Sequence, residues 1–445
     1  MTTPSFSHKI LFDQSLSIQD ILSRLDDLSH FIYLKNNHAP VIAFLPVEFE
    51  WVKNGKRETY QRTPNYQYQQ VETALDFKPS AYQDSSNKGF NGGLMGFIGY
   101  DFASGQHVNV HSKDQPAYWL GLFHSYLKYT EDGWYFYSDE AEAEQMYTFI
   151  QTQLNQVSNI DALQLTQACQ ARWSKPQYQH AFAQVQDYIR AGDCYQINLT
   201  QEFVGQAEGR LLSVAQAFWQ LTDAPYSGYL KTEGFELLSC SPELFIEFLA
   251  DRKLVTKPIK GTMPRYADPQ RDEQSKLKLK QSPKDQAENV MIVDLLRNDL
   301  SVYAETGSVK TPKLFEIESF NQVHHMVSEV RATLKSQVNP LEVLMAALPG
   351  GSITGAPKIR AMQIIEELEG APRGAYCGSL GYFNFDGTGC WNILIRSIQK
   401  SQQDLSLWAG GGITIASDCD AEYQECFDKV SAMLNLLNTW QKTHP

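Results

Sequence analysis

The stretch from Ile42 to about Tyr147 consists of short apolar and aromatic runs that turn residues interrupt. One example is Trp134-Tyr-Phe-Tyr137, which follows the turn-forming segment Glu131-Asp-Gly133. Short runs bounded by turn residues are typical of β-strands rather than of long helices. The pattern therefore predicts a β-rich N-terminal region, which we place at residues 1–155.

A polar segment follows this region. Residues 151–170 are rich in Gln and lead to Lys175-Pro176, so we predict a linker at 156–176 and a second domain at 177–441. With 445 residues, the chain can hold two or three average domains or one large composite domain.

The second domain begins with a helix followed by a strand. Apolar residues from Tyr178 to Ile189 have helical spacing, and Gly192 occupies the position of a helix C-cap. Polar and apolar residues then alternate from Tyr195 to Thr200, which predicts a half-buried strand with one polar face along a cleft.

Two more helices are indicated further along. Ser282-Pro-Lys-Asp285 supplies an N-cap, a first-turn proline and an acidic residue, and predicts a helix to about Asn298. That helix is apolar around most of its circumference, so we expect it to be buried. A single helix is predicted from about Asp420 to Trp440, with an apolar stripe opposite Glu422, Glu425 and Lys429.

Charge and composition exclude several classes of protein. The net charge of −13 argues against nucleic acid or an anionic membrane as a partner. The first residues, MTTPSFSHKI, lack the pattern of a signal peptide, and no run is apolar enough to span a membrane. Seven scattered cysteines without CxxC spacing indicate reduced thiols. We therefore expect a cytoplasmic enzyme without a membrane segment.

Lys260 is the first candidate for chemistry. It lies in Lys257-Pro-Ile-Lys-Gly-Thr262, where a lysine beside a flexible glycine could project into a cleft. Desolvation there would lower its pKa and expose a nucleophilic amine. The spacing alone, however, favours a surface lysine at the end of a strand.

Several acidic residues are candidates with structural alternatives. Glu243 follows Pro242 and could be a general acid with a raised pKa, or a solvated turn residue. Glu288 could share Mg²⁺ with a second carboxylate, or stabilise the helix dipole. Glu425 and Lys429 have the spacing of an exposed i, i+4 pair.

The remaining candidates are weaker signals. His325 has no metal-ligand partners at suitable spacing, which is typical of a hydrogen-bonded core residue. The glycine-rich segments at 349–355 and 409–412 precede helices and could approach an anion closely. Ala356-Pro357 occupies the positions where a phosphate-binding loop requires Lys and Ser or Thr, which argues against a nucleotide triphosphatase.

A series of motifs in a common order resembles the chorismate-utilising enzymes from about Pro176 to Lys429. The motifs are Gly192-Asp-Cys-Tyr-Gln-Ile-Asn-Leu-Thr-Gln201, Ser241-Pro-Glu243, Pro258-Ile-Lys-Gly-Thr262, Lys284-Asp-Gln-Ala-Glu-Asn289, Asp294-Leu-Leu-Arg-Asn-Asp299, Gly351-Ser-Ile-Thr-Gly-Ala-Pro-Lys358 and Ala409-Gly-Gly-Gly412. The resemblance implies an α+β fold in which two β-sheets are flanked by helices, with the active site in a cleft between them.

Within that family, Lys260 resembles the branch that aminates chorismate at C4. The anthranilate synthase branch has Pro-Ile-Ala-Gly-Thr where this chain has Pro258-Ile-Lys-Gly-Thr262. The resemblance implies that Lys260 attacks C2 and expels the C4 hydroxyl, with Glu243 as general acid, before ammonia adds at C4. The product would be 4-amino-4-deoxychorismate, on the way to 4-aminobenzoate and folate.

The resemblance also implies the remaining ligands of chorismate and a metal. Mg²⁺ would be held by Glu288 and Glu425, with Glu422 close by. The residues that would bind the substrate are Gln196, Thr262, His325, Thr354, Arg396, Gly410, Gly411 and Lys429.

Partners follow from the same resemblance. No glutaminase motif with a nucleophilic cysteine is visible, so ammonia would come from solution or from a separate glutamine amidotransferase subunit. Aminodeoxychorismate lyase would act downstream, as a partner by pathway only. The alternatives are anthranilate synthase component I, a more distant isochorismate or salicylate synthase, and a non-catalytic chorismate-binding subunit.

Overall fold

The structure is a computed structural model that describes residues 6–10, 16–36, 39–79, 89–157, 160–319 and 323–442. Within these ranges the strands form two twelve-stranded sheets, and helices pack around them. The predicted α+β fold of two sheets flanked by helices is therefore confirmed. None of the described helices has both the length and the apolar composition needed to cross a membrane.

Runs of consecutive strands belong in turn to the first and to the second sheet. They are β1 (Phe6–Lys9), β2 (Phe31–Leu34), β3 (Val41–Phe44), β4 (Glu48–Lys53), β5 (Lys56–Arg62), β6 (Tyr68–Val71), β7 (Gly93–Ile98), β8 (Pro116–Phe123), β9 (Ser125–Thr130), β10 (Gly133–Ser138), β11 (Gln164–Ala171), β12 (Gln196–Glu208), β13 (Tyr226–Thr232), β14 (Phe235–Ser241), β15 (Leu244–Phe248), β16 (Lys253–Thr256), β17 (Ile259–Pro264), β18 (Lys310–Ser319), β19 (Val323–Thr333), β20 (Gly355–Ala356), β21 (Ser379–Asn384), β22 (Gly389–Asn392), β23 (Ser397–Ser401) and β24 (Asp404–Ile413).

The first sheet has the order β1-β10-β9-β3-β2-β13-β14-β23-β24-β12-β11, and β20 pairs with β12. The second has the order β17-β19-β16-β15-β22-β21-β7-β8-β4-β5-β6, and β18 pairs with β19. The helices are α1 (Ile18–Arg24), α2 (Tyr100–Ser104), α3 (Ala143–Asn155), α4 (Lys175–Ala191), α5 (Ala215–Thr222), α6 (Pro269–Lys280), α7 (Pro283–Ser301), α8 (Pro340–Ala347), α9 (Lys358–Glu369), α10 (Cys419–Asp428) and α11 (Ser431–Asn438).

The core consists of three apolar clusters. One contains residues of both sheets, such as Leu237 of β14 and Met95 of β7, so the sheets pack face to face over this part. A second joins the first sheet to α1, α3, α5 and α11. The third joins the second sheet and strands β12 and β24 of the first to α4, α7, α8 and α9. This burial of apolar surface is the main stabilising contribution to the fold.

Both sheets mix the N-terminal and C-terminal regions. In the first sheet β2 pairs with β13, and in the second β7 pairs with β21. The segment 156–176, interpreted above as a linker, contains β11, which extends the first sheet beyond β12. The division at this segment stays a prediction from the sequence.

The predicted end of helix α4 and the predicted start of helix α7 agree with the structure. Helix α4 ends at Gly192, whose φ of 82° is the left-handed conformation that glycine adopts without strain. Helix α7 begins after Ser282, whose side chain accepts a hydrogen bond from the backbone N–H of Asp285. Both capping predictions are confirmed.

Helix α7 is less buried than its composition predicts. Its buried residues form one stripe from Asn289 to Leu300, whereas Val290 is 39% exposed. This stripe packs against β19, β17, β18 and α8, which leaves the other side of the helix towards solvent. The expectation of a buried helix was wrong for that reason.

The single helix predicted from Asp420 to Trp440 is two helices, α10 and α11, with a break at Lys429 and Val430. Cys426 of α10 packs into one apolar cluster, whereas Val430 and Leu437 pack into another. The backbone turns between them because one apolar stripe serves two separate parts of the core.

Strand β12 was predicted to be half-buried, with one polar face along a cleft, and the half-buried part of this prediction is wrong. Its first eight residues are all buried, including Gln196, Asn198 and Thr200. The strand lies between β24 and β11, and helices α4 and α9 pack against it. Its polar side chains therefore face protein groups, and Asn198 alone among these three also lines the cleft described next.

Candidate active site

A cavity of about 610 Å³ contains all but two of the predicted site residues. It is lined by elements of both sheets and by helices α7 and α10. The predicted residues in its wall are Glu243, Lys260, Thr262, Glu288, His325, Arg396, Gly410, Gly411, Glu422, Glu425 and Lys429. The structure thus brings together side chains that are up to 186 positions apart in the chain, between Glu243 and Lys429.

Two of these residues lie where the chain crosses from one sheet to the other. Glu243 lies in the connection from β14 in the first sheet to β15 in the second. Arg396 lies in the connection from β22 in the second sheet back to β23 in the first. The crossings are adjacent: the backbone N–H of Ile393 donates to the Glu243 carbonyl at 3.1 Å, and that of Cys240 donates to the Arg396 carbonyl at 3.1 Å. Paired crossings bring an acidic and a basic side chain to one side of the cleft.

Lys260 and Thr262 lie on either side of a bulge in β17. Lys260 pairs with Met326 and Thr262 with His325, so the register of β17 shifts at Gly261. Residues two positions apart in a strand lie on the same face, and Lys260 and Thr262 both line the cavity. Lys260 is therefore inside the strand, not at its end.

Gly261 is required at that bulge. Its φ is 77°, and a Cβ atom there would lie 2.8 Å from the carboxyl group of Asp285 and 2.8 Å from Leu279. A side chain would strain the backbone and push α6 or α7 away from β17.

The Lys260 amine is held in a desolvated part of the cleft. Its Nζ donates to the carbonyl of Ser352 at 3.4 Å. Burial lowers the pKa of Lys260 from its ordinary value, and Glu288 is the strongest opposing influence. An amine whose pKa is lowered by desolvation is more often neutral near pH 7 and is then a nucleophile.

Glu243 has the opposite perturbation. Its side chain is 7% exposed, and its Oε1 accepts the backbone N–H of Ile259 at 3.5 Å. Burial raises the pKa of Glu243 to about 7, and the positive charge of Lys260 counteracts part of this effect. A carboxyl group with this pKa can donate a proton near neutral pH.

His325 is buried and neutral in this cleft. Its Nδ1 and the hydroxyl of Thr262 are 2.9 Å apart, and burial lowers its pKa to about 4. The imidazole is therefore not a cation at neutral pH, and it holds the Thr262 hydroxyl against the cavity.

Three carboxylates line the cavity near α7, α10 and β24. Glu422 and Glu425 both lie close to Gly411. A Cβ atom at Gly411 would be 2.9 Å from Glu422 Oε2 and 3.2 Å from Glu425 Oε1. Glu288 projects from α7, and burial raises its pKa and that of Glu422. The absence of a side chain at Gly411 leaves the space that Glu422 and Glu425 occupy.

Lysines neutralise the three carboxylates. Lys284 Nζ lies 4.0 Å from Glu288 and 3.8 Å from Glu422, so it connects α7 to α10. Lys429 Nζ lies 2.6 Å from Glu425 and donates to the Gly410 carbonyl at 2.7 Å. The i, i+4 pair predicted for Glu425 and Lys429 is thus formed, at the edge of the cleft.

The carboxylates suit a hard cation, although they do not enclose one. Within the described ranges, no three His, Cys, Asp or Glu side chains are close enough to hold a metal ion as they stand. Glu288 Oε1 is nevertheless buried without a hydrogen bond to any described residue. Carboxylate oxygens are the ligands that Mg²⁺ prefers, so the donor set of Glu288, Glu422 and Glu425 fits that ion.

Gln196 and Thr354 do not line the cavity. Gln196 is fully buried behind Gly412, and neither atom of its amide has a hydrogen bond to a described residue. Thr354 donates its hydroxyl to the Gly350 carbonyl at 2.9 Å. Their predicted contacts with substrate would need a rearrangement of this wall.

The cavity also contains residues that the motif analysis did not single out. These are Asn198, Lys284, Asp285, Ser352, Tyr376 and Trp408. Asn198, Lys284, Asp285 and Ser352 stand inside motifs quoted above, which was an available signal. Tyr376 and Trp408 carried none, since isolated aromatic residues are typical of any core.

Comparison with known proteins agrees with this geometry. A family profile described as chorismate binding enzyme matches residues 31–435. The chain is 41% identical over 395 residues to aminodeoxychorismate synthase component 1 of Escherichia coli K12, which covers 86% of this chain and 84% of that protein. It is 40% identical over 381 residues to the protein of the same name from Salmonella typhimurium LT2, with 82% and 81% covered.

A solved structure has the same fold. Anthranilate synthase component I from Streptococcus pneumoniae TIGR4 superposes with a TM-score of 0.76 at 25% identity, covering 89% of this chain and 92% of that one. The match of the profile to most of the chain, the two relatives at about 40% identity, and the shared fold lead to one conclusion. This chain belongs to the family of chorismate-binding enzymes.

Proposed function

We propose that this chain acts as component 1 of an aminodeoxychorismate synthase, which converts chorismate and ammonia to 4-amino-4-deoxychorismate for 4-aminobenzoate and folate synthesis. Its similarity to two proteins of that name supports the proposal. The observation that carries it is the Lys260 amine in the wall of the cleft, with Glu243 in the same cavity. A nucleophile and an acid are thereby available on one substrate.

In the first step the neutral Lys260 amine bonds to C2 of chorismate. Both ring double bonds shift, from C1=C2 and C5=C6 to C1=C6 and C4=C5, and the C4–O bond breaks. Glu243 gives its proton to the departing hydroxyl, which leaves as water. The nitrogen of Lys260 becomes a secondary ammonium, and Glu243 becomes a carboxylate. The opposite pKa perturbations of the two residues favour the protonation states from which this step starts.

In the second step ammonia bonds to C4. Both ring double bonds shift back, the bond between C2 and the Lys260 nitrogen breaks, and the lysine leaves as a neutral amine. The new C4 ammonium gives a proton to the Glu243 carboxylate, which restores the starting acid. Attachment at C2 directs ammonia to C4, so the lysine determines the position of amination.

Basic groups would bind the two carboxylates of chorismate. Arg396 offers a planar fork for one carboxylate, and Lys429 offers a point charge. The backbone of Gly410 and Gly411 permits close approach, since neither residue carries a side chain. This local set of donors lets an acidic protein bind a dianion.

We assign Mg²⁺ to Glu288 and Glu425, with Glu422 beside them. When bound, the ion would polarise and neutralise a carboxylate of the substrate. Lys284 and Lys429 would release the carboxylates at the same time, because each now neutralises a predicted ligand.

Ammonia would come from a separate glutamine amidotransferase subunit. The name component 1 of the relatives implies a second component in those systems. We place the enzyme in the cytoplasm, since none of its seven cysteines is paired in a disulfide.

The proposal is tested with the purified chain, chorismate, Mg²⁺ and an ammonium salt. The expected product by liquid chromatography and mass spectrometry is 4-amino-4-deoxychorismate. Anthranilate, isochorismate or unchanged chorismate would each exclude the assigned reaction.

Two variants test the covalent step. Lys260→Ala should abolish the C4-aminated product and the protein–chorismate adduct seen by intact mass. Lys257→Ala is the matched control, because Lys257 lies three residues away and pairs with Glu318 at 3.6 Å, outside the cavity wall. A Lys260→Ala chain that still aminates C4 at the normal rate contradicts the mechanism.

A further inference from the structure

Arg373 is a fully buried cation directly behind the wall of the cleft. Its side chain is 1% exposed and lies between two aromatic rings, 4.6 Å from the centroid of Tyr100 and 5.8 Å from that of Tyr376. Tyr376 in turn stacks on Trp408 at 5.9 Å, and both of these rings line the cavity. The guanidinium therefore supports an aromatic part of the active-site wall.

Arg373 is bound to Glu369 by two parallel hydrogen bonds. Its Nε donates to Glu369 Oε2 at 2.8 Å, and its Nη2 donates to Oε1 at 2.7 Å. Glu369 Oε1 also accepts the hydroxyl of Thr200 at 2.6 Å and its backbone N–H at 3.0 Å. The fork is thus anchored to helix α9 and to strand β12, and it cannot rotate freely.

The remaining guanidinium bonds go to two backbone carbonyls beside the cleft. Nη2 donates to the Asn198 carbonyl at 2.7 Å, and Nη1 donates to the Ile353 carbonyl at 3.0 Å. The side chain of Asn198 donates to the same Ile353 carbonyl at 2.9 Å. Ile353 belongs to the 3₁₀ turn Gly351–Ile353, and Ser352 of that turn holds the Lys260 amine.

On its C-terminal side the turn is tied to β12, since the Asn198 N–H donates to the Thr354 carbonyl at 2.7 Å and β20 pairs with β12. Gly350 accepts the Ile353 N–H at 3.2 Å and the Thr354 hydroxyl at 2.9 Å, which are bonds within the loop. Gly351 contributes no side chain. Within the turn, the Ile353 carbonyl next to Ser352 is held by the side chains of Asn198 and Arg373, so these two residues fix the turn itself.

We propose that Arg373, fixed by Glu369, is a positioning residue that sets the direction of the Lys260 amine through the Ser352–Ile353 turn. The proposal rests on the function assigned to Lys260 above. Arg373 is not in the cavity wall, so the direction of the Lys260 amine would be set by a side chain that does not touch the substrate. Displacing a nucleophile by about 1 Å can lower a rate about a hundredfold.

The test compares Arg373→Met with Arg360→Met. Both remove an arginine from an ion pair at or near α9, but Arg360 pairs with Asp193 at the surface, away from the cavity wall. We expect Arg373→Met to lower kcat on the order of a hundredfold while KM changes little, because Arg396 and Lys429 still bind the substrate. Arg360→Met should keep the parent kcat.

A second readout does not need chorismate. The reactivity of individual lysines towards acetic anhydride, followed by peptide mass spectrometry across pH, reports the apparent pKa of the Lys260 amine. In Arg373→Met this pKa should move and the labelling rate at pH 7 should change several-fold, while Lys257 is unaffected. If Lys260 labelling is unchanged and kcat falls only in parallel with thermal stability, Arg373 is merely structural and the proposal is wrong.

Glu369→Gln covers the case in which Arg373→Met does not fold. Glutamine keeps the acceptor for Thr200 but breaks one of the two bonds to the guanidinium, so a folded chain with about tenfold lower kcat is expected, in keeping with a smaller displacement. Parent values of kcat and of Lys260 labelling in this variant overturn the proposal. A parent chain that labels normally but makes no 4-amino-4-deoxychorismate would refute the proposed function instead, since labelling is measured without substrate.

Discussion

Replacing Glu243 by glutamine should inactivate the enzyme and stabilise its fold. Glu243 is 7% exposed, and burial raises its pKa from an ordinary value of 4.5 to about 7. The folded protein keeps this proton at pH values where the unfolded chain has lost it. The contribution to stability is therefore fully present below pH 4.5 and is lost as the pH rises to about 7.

The size of the loss follows from the two pKa values. Each pKa unit corresponds to about 1.4 kcal/mol, so the rise from 4.5 to about 7 costs roughly 3 kcal/mol of folding free energy at pH 8. A glutamine side chain at this position would be neutral at every pH and nearly the same size. We expect Glu243→Gln to gain a large part of this free energy at pH 8, and little at pH 4.5.

Activity should change in the opposite direction. A positioned general acid contributes about a hundredfold to ten-thousandfold to a rate, and glutamine cannot donate the proton. In the parent chain, adduct formation at Lys260 should fall roughly tenfold per pH unit above about pH 7, as Glu243 ionises. The variant should be slow at all pH values and should lack this decline.

Two assays examine the pair of effects. Urea unfolding at pH 4.5 and pH 8 gives the stability difference, and rapid quenching with intact-protein mass spectrometry gives the rate of adduct formation. Glu305→Gln is the control, since Glu305 is an exposed carboxylate outside the cleft. A Glu243→Gln chain that is less stable at pH 8, or that keeps the alkaline decline, would refute the assignment of a protonated Glu243.

Two further predictions concern the neighbouring glycines and a buried histidine. Gly411→Ala should fold, but it should raise the Mg²⁺ concentration needed for half-maximal activity several-fold, because its Cβ would displace Glu422 and Glu425. Gly410→Ala should fail to fold, since its Cβ would lie 2.2 Å from the Leu199 carbonyl. Soluble yield and an Mg²⁺ titration check both, and normal folding of Gly410→Ala would contradict the packing argument. Burial, aided by Lys231, lowers the pKa of His30 from 6.5 to about 3, so the unfolded chain binds the proton first and stability is lost as pH falls below 6.5, by about 2 kcal/mol at pH 5. His30→Gln should remove that part of the pH dependence in urea unfolding between pH 8 and pH 5, and an unchanged slope would show that His30 does not cause it.

The local elements were largely readable from the chain. Caps such as Ser282 and Gly192 act over a few residues, so their effect is contained in the local sequence. The order of the motifs also predicted the family and the α+β fold, and the motifs contain most residues of the cleft wall. A motif encodes which side chain is present at a site.

Burial and partners required the folded molecule. Spacing alone favoured a solvated Lys260, whereas the folded chain buries this lysine in the wall of the cleft. The alternation in β12 predicted a half-buried strand, whereas helices α4 and α9 pack against that strand and its first eight residues are buried. The predicted C-terminal helix divides in two because its apolar stripe contacts two separate core clusters.

The sequence by itself therefore determined the family, the class of fold and the identity of the candidate nucleophile and acid. Tertiary structure decided their state: it removes water from Lys260 and Glu243 and shifts their pKa values in opposite directions. It also decided that Arg373 and Glu369 support the turn beside Lys260. The physical reason is that desolvation and Coulomb interaction depend on distances between segments remote in the chain, which no local pattern specifies.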